Sequence, residues 1–139
     1  MSNNQQDLAC NLGAIDPAQR ETHEATSDHV FASVLEIKES AEGYAFRLPS
    51  DTPMLYKAVE FVANERLCCP FFTFNLRVAD GQVWLELSGT PEVKDIIEAG
   101  IVTPIRETGA FSPILKDAAK AGTPLREVVT LLERKADAD

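Results

Sequence analysis

Prolines that follow a helix-capping residue set the positions of the helices in this chain. Six of the eight prolines come directly after Asp, Ser or Thr. A side-chain oxygen at that position accepts a hydrogen bond from the first helical turn, and proline at the next position gives up an N–H that has no partner. These pairs therefore predict helix starts, at Asp16-Pro17, Thr52-Pro53, Thr90-Pro91, Thr103-Pro104, Ser112-Pro113 and Thr123-Pro124.

Hydrophobic periodicity supports three of these starts. The helices that it predicts are 52–66, 91–99 and 124–135, with weaker patterns over 17–25 and 104–120. In the first of them, the predicted apolar face is Leu55, Ala58, Val59 and Val62. Gly100 stands where a glycine ends a helix, and Gly109 and Pro113 interrupt the last weak pattern.

Between the helices lie four segments in which apolar and polar residues alternate, as in half-buried strands. They are 30–39, 44–48, 72–78 and 83–88. Asp80-Gly81 joins the last two and is a strong hairpin signal. The order β-β-α-β-β-α predicts an α+β fold, in which a four-stranded antiparallel sheet carries both helices on one face. This two-layer sandwich is a permuted ferredoxin-like arrangement, and helices follow it.

The net charge differs between two parts of the chain, and this difference suggests a domain boundary. Residues 1–99 carry a net charge of -9, whereas residues 100–139 carry none. We interpret this change as the end of a core domain. The predicted division is an N-terminal segment over 1–29, an α+β core over 30–99 and a separable C-terminal helical extension over 100–139.

The net charge and the apolar content of the chain limit the classes of molecule that it is expected to bind. A net charge of -9 repels phosphate backbones and anionic lipid, so neither nucleic acid nor membrane is expected as a partner. No apolar run approaches the ~20 residues of a membrane helix, and no signal peptide is visible at the N-terminus. The three cysteines are an odd number without disulfide spacing, which predicts a cytoplasmic protein.

The most distinctive local sequence is E-R-L-C-C-P-F-F at 65–72. Pro70 disfavours helical geometry at Cys69, which places the Cys68–Cys69 pair at a helix end. A disulfide between neighbouring cysteines closes a strained ring, whereas free thiols are good ligands for soft ions. Cys10 is a third candidate donor if the N-terminal segment folds back onto the pair. Three thiolates suit mercury, trivalent arsenic or zinc, the last with His23, His29 or water as a fourth ligand.

A structural role for the same residues remains open. Free cysteine often packs as a small apolar side chain, and apolar neighbours surround this pair. His23 and His29 are expected at the surface, and Glu65 is either a carboxylate supporting the thiols or the solvated end of a helix. No catalytic motif is recognisable, so an enzyme is not favoured. The alternative to a thiol-based binding protein is therefore a non-enzymatic homo-oligomeric interaction domain with structural cysteines.

The motif E-x-x-C-C-P-F-F at 65–72 resembles that of small uncharacterised bacterial proteins. Those proteins also resemble this chain in an N-terminal Ala-Cys pair, here Ala9-Cys10. The resemblance covers roughly residues 8 to 99 and leaves out the extension. It implies a shared domain and a heavy-metal context rather than a defined activity. Because both motifs contain cysteine, it also implies that Cys10 lies close to the Cys68–Cys69 pair.

Overall fold

The computed structural model describes the backbone of residues 8–138 and the side chains of residues 8–135. A short 3-10 helix, Leu12–Ala14, comes before the main elements. These are α1 (Pro17–Ala32), β1 (Glu36–Glu39), β2 (Gly43–Leu48), α2 (Thr52–Cys68), β3 (Thr73–Ala79), β4 (Gln82–Ser88), α3 (Pro91–Ile97), α4 (Thr103–Thr108), α5 (Pro113–Ala121) and α6 (Leu125–Ala138). A π-helical turn, Glu98–Val102, connects α3 to α4.

The sheet has the predicted architecture. Its strand order is β1-β2-β4-β3, and every neighbouring pair is antiparallel. Two hairpins therefore meet through their second strands, as in a ferredoxin-like sheet whose strands are circularly shifted. Along β4 the buried residues Val83, Leu85 and Leu87 alternate with half-buried ones, so one face of the sheet forms the core. The α+β sandwich with C-terminal helices is confirmed.

Four of the six proline-based helix starts have a capping side-chain bond, whereas α4 begins at Thr103 without a side-chain cap. Asp16, Asp51, Thr90 and Ser112 each accept a hydrogen bond from a backbone N–H of the first turn. At Thr52-Pro53 the cap is one residue earlier than the pairing rule predicts. The aspartate before the threonine caps α2 there.

The predicted strand over 30–39 is wrong in its first part. Val30 and Phe31 belong to the last turns of α1, which runs well beyond the predicted 17–25. Both side chains are buried, and the Phe31 ring packs edge-on against Phe61 of α2, with ring centroids 5.2 Å apart. This contact between helices stabilises a helical ending that local alternation could not reveal.

Gly100 does not end a helix. It lies inside the π-helical turn, and the chain continues through Val102 into α4. The Leu115 side chain lies where a Cβ on Gly100 would be, so the missing side chain allows close packing of α5. The predicted interruptions at Gly109 and Pro113 are confirmed, since α4 ends before the first and α5 begins at the second.

The buried face of α2 is rotated from the predicted one. Val59 is half exposed, whereas Phe61 is fully buried. The residues of α2 that face the core are Met54, Ala58, Phe61, Glu65 and Cys68. This face places a carboxylate and a thiol inside the molecule.

The predicted segments contribute to one hydrophobic cluster. Phe31 of α1 packs with Phe46 of β2, and Ile101, Val102 and Leu125 from the C-terminal part belong to the same cluster. The proposed boundary at 29/30 falls inside α1. The division into three parts stays a prediction, but the shared core leads us to expect that residues 100–139 are needed for stability. No helix within residues 8–138 is long and apolar enough to cross a membrane.

Candidate three-thiol site

The three cysteines come together at the C-terminal end of α2. Cys68 is the last residue of this helix, and Cys69 is its cap, whose N–H donates to the Glu65 carbonyl oxygen over 2.7 Å. Pro70 then ends the helix. The Sγ atoms of Cys10, Cys68 and Cys69 all lie within 4.8 Å of one another. The expected proximity of Cys10 to the pair is therefore confirmed.

A disulfide joins Cys10 to Cys69, with their Cα atoms 4.4 Å apart. Cys68 is a free thiol, and its Sγ lies 3.7 Å from that of Cys69. The sequence spacing gave no indication of this bond, because it joins residues that are distant in the chain. In this form the site offers one thiol, and two-electron reduction would provide three.

Backbone hydrogen bonds hold the segment around Cys10 independently of the disulfide. On one side, the Asn11 N–H donates to the Cys68 carbonyl oxygen over 2.7 Å. On the other, the Leu125 N–H donates to the Leu8 carbonyl oxygen over 2.6 Å. An antiparallel bridge between Ala9 and Pro124 lies between these bonds. The position of Cys10 is thus set by the start of α6 and the end of α2.

A buried histidine–carboxylate pair lies beside the thiols. His23 of α1 is only 4% exposed, and its Nε2 lies 2.8 Å from Glu65 Oε1. Its Nδ1 is buried without a hydrogen-bond partner among the described residues. The expectation of a surface position is wrong for His23, because α1 packs this face against α2. His29 is exposed as expected.

Glu65 is buried and is not the solvated end of a helix. A signal for this was present in the sequence. Glu65 follows Ala58 and Phe61 at helical spacing and precedes Cys68 by three residues, so it continues the apolar face of α2. On α1, His23 is similarly in line with Ser27 and the buried Val30. A polar residue on an apolar face needs a partner, and His23 Nε2 and Glu65 Oε1 serve as partners for each other.

The surroundings keep the free thiol protonated. Burial first, and then the nearby Glu65 carboxylate, raise the pKa of the Cys68 thiol to about 12. The hydrogen bond with Asn11 acts in the opposite direction but is the smallest contribution. Cys68 is therefore a weak nucleophile in the folded protein at neutral pH.

Alkylation should reveal this protection. With the Cys10–Cys69 bond intact, we expect iodoacetamide to modify Cys68 at pH 8 at least about 100-fold more slowly than in the unfolded chain. Because only the thiolate reacts, the rate should rise about tenfold per pH unit until the pH approaches the raised pKa. Mass spectrometry of timed samples measures both rates. Equal rates in native and unfolded protein would contradict the buried, protonated thiol.

Comparison with protein-family models, curated proteins and solved structures finds no match for this chain. The functional argument therefore rests on the chain's own geometry. The part of the site that the sequence predicted is the three cysteines, and the part that it missed is the His23–Glu65 pair.

Proposed function

We propose that the reduced protein binds a soft metal or metalloid ion through Cys10, Cys68 and Cys69. The observation that carries the proposal is the convergence of the three Sγ atoms within 4.8 Å. Thiolates are the protein ligands that soft ions prefer. The cysteines come from two distant parts of the chain, and hydrogen bonds at Asn11 and Leu125 support their meeting point.

Binding requires the reduced state, because the disulfide form leaves Cys68 as the one free thiol. The bonds that hold the Cys10 segment are backbone bonds, so reduction should leave the sulfur atoms close together. A cytoplasmic location would suit this function, since the thiol pool there keeps cysteines reduced.

Titration of the reduced full-length protein tests the proposal. We expect arsenous acid or mercuric ion to bind with one ion per chain, and Cys68→Ser to weaken binding of arsenous acid by about 100-fold or more through loss of a ligand. Ser27→Ala is a matched control, because Ser27 borders the same cavity without offering sulfur. Isothermal titration in the absence of added thiols gives the affinities. Failure of the reduced wild type to bind any soft ion would contradict the proposal.

A second candidate is a homo-oligomeric interaction domain with structural cysteines. The structural role of the cysteines is supported by the burial of Cys68 and Cys69, which are 2% and 3% exposed, and by the Cys10–Cys69 disulfide. Here Cys68→Ser should lower the free energy of unfolding by about 1–3 kcal/mol, because a buried hydroxyl would lack a partner. No ion affinity would be lost. Because Cys68 is buried under either candidate, titration with a soft ion and sedimentation of the wild type separate this candidate from the first.

A further inference from the structure

The three cysteines border an apolar cavity. Its volume is about 80 Å³, and the side chains around it include Leu12, Phe71, Phe72, Ile101, Phe111 and Leu115. Cys68, Cys69 and Phe72 are among the buried residues of the main hydrophobic cluster. An ion held here lies in surroundings that solvate a net charge poorly, so the charge of the whole complex matters.

The polar groups around the cavity make a net negative charge still less favourable. Glu65 extends from the same helix face as Cys68, one turn earlier, and is buried with it. Lys116 also borders the cavity, but its Nζ is 2.8 Å from Asp28 Oδ1, and this pair neutralises itself. Lys120 is exposed to solvent. Among residues 8–135 no lysine or arginine is buried beside the Glu65 carboxylate, whose ion-pair partner is His23.

The number of donor atoms also limits which ions the site can bind. Within residues 8–135, no His, Asp or Glu side chain joins the three cysteines to form a larger group of donors. His23 Nε2 is already paired with Glu65. Structural zinc sites need four ligands, most often thiolates and imidazoles. A trivalent arsenic or antimony centre instead takes three ligands in a pyramid, with a lone pair in the fourth direction.

The cavity charge and the number of donors distinguish between the ions that the proposed function allows. This inference rests on that proposed function. We propose that the ligand of the three-thiol site is a trivalent metalloid hydroxide of the arsenous acid class, not a divalent cation. Three thiolates carry three negative charges. A trivalent centre bound by all three leaves the complex neutral, whereas a divalent ion bound by all three leaves one negative charge buried beside Glu65.

The reaction is a condensation without oxidation of the ion. Each thiol gives its proton to one hydroxide of arsenous acid, which leaves as water while an As–S bond replaces the As–O bond. Three thiols thus form three As–S bonds and release three waters. The disulfide must first be reduced, for example by a phosphine, which takes up the oxygen of a water while Cys10 and Cys69 each gain a hydrogen. Neither step leaves charge in the cavity.

Competition between ions tests the inference. The full chain is reduced with a phosphine, freed of reductant and loaded with one equivalent of arsenous acid. We expect X-ray absorption at the arsenic edge to show three sulfur neighbours and no oxygen, and a tenfold excess of zinc to displace none of the arsenic. Displacement by zinc, or an oxygen neighbour, would overturn the inference and leave the proposed function intact. If neither these ions nor mercury bind, both proposals are wrong.

A variant that removes the charge of Glu65 tests the charge argument independently. Glu65→Gln removes the negative charge and keeps a side chain that can bond to His23. We expect it to tighten zinc binding about tenfold and to change binding of arsenous acid much less. Glu60→Gln is the matched control, because Glu60 lies on the same helix and its carboxylate accepts a hydrogen bond from Thr26. Equal effects of Glu65→Gln on both ions would overturn the charge argument.

Discussion

Oxidation of the full-length protein should abolish binding of arsenous acid. The disulfide takes the sulfur atoms of Cys10 and Cys69 out of the ligand set, and only the Cys68 thiol remains. A single thiol cannot replace three, so the affinity should fall by about 100-fold or more. Isothermal titration of the same preparation, before and after reduction by a phosphine, measures the change.

Cys10→Ser is the control for this result. The variant cannot form the Cys10–Cys69 bond, so its weaker binding should not depend on treatment with a mild oxidant. By linkage, a bound ion should in turn protect the wild-type thiols from oxidation. Equal affinities of the oxidised and reduced wild type would show that the ion does not use Cys10 and Cys69.

Loss of the first leucine of α6 should destabilise the whole protein. Leu125 is 2% exposed and belongs to the main hydrophobic cluster, together with residues of the sheet. We expect Leu125→Ala to lower the free energy of unfolding by about 2–5 kcal/mol. Leu131→Ala is the matched control on the same helix, since Leu131 is 40% exposed, and it should change stability by about 0.5 kcal/mol or less. Urea denaturation followed by circular dichroism measures both.

Truncation after Gly100 extends this test. It removes Ile101, Val102 and Leu125, each of which is buried in the main cluster. Burial of each such side chain contributes about 1.5–3 kcal/mol, and the sum approaches the whole stability of a typical domain. We therefore expect no cooperative unfolding of the shortened chain. A cooperative transition would instead support the separable extension that the charge pattern predicted.

Much of the fold was predictable because its signals are local. The aspartate, threonine and serine caps act on the next few residues, and the alternation in β3 and β4 follows directly from the strand repeat. Failures occurred where distant packing decided the outcome. Val30 and Phe31 are compatible with a strand, but contact with Phe61 keeps them in a helix. Gly100 has the composition of a helix end, but Leu115 makes use of its missing side chain.

The same distinction applies to the candidate site. The Cys68–Cys69–Pro70 corner follows from local chemistry, and the proximity of Cys10 was expected because the Ala9-Cys10 pair belongs to the same resemblance. The bond between Cys10 and Cys69 depends on tertiary packing, as does the burial of His23 against Glu65. Neither can be read from spacing, although the helical phase of Glu65 was a visible sign that it faces inward.

The backbone contacts that hold the Cys10 segment affect the order in which parts of the chain can fold during synthesis. Leu8 takes its hydrogen bond from Leu125, and Ala9 bridges to Pro124, so an early part of the chain is held by a very late one. During synthesis the N-terminal cysteine emerges long before the residues that fix its position. A growing chain that already contains all four strand segments therefore still lacks the residues that hold Cys10 beside Cys68 and Cys69. Convergence of the thiols therefore depends on Pro124 and Leu125, and chains that end before these residues should not capture the ion.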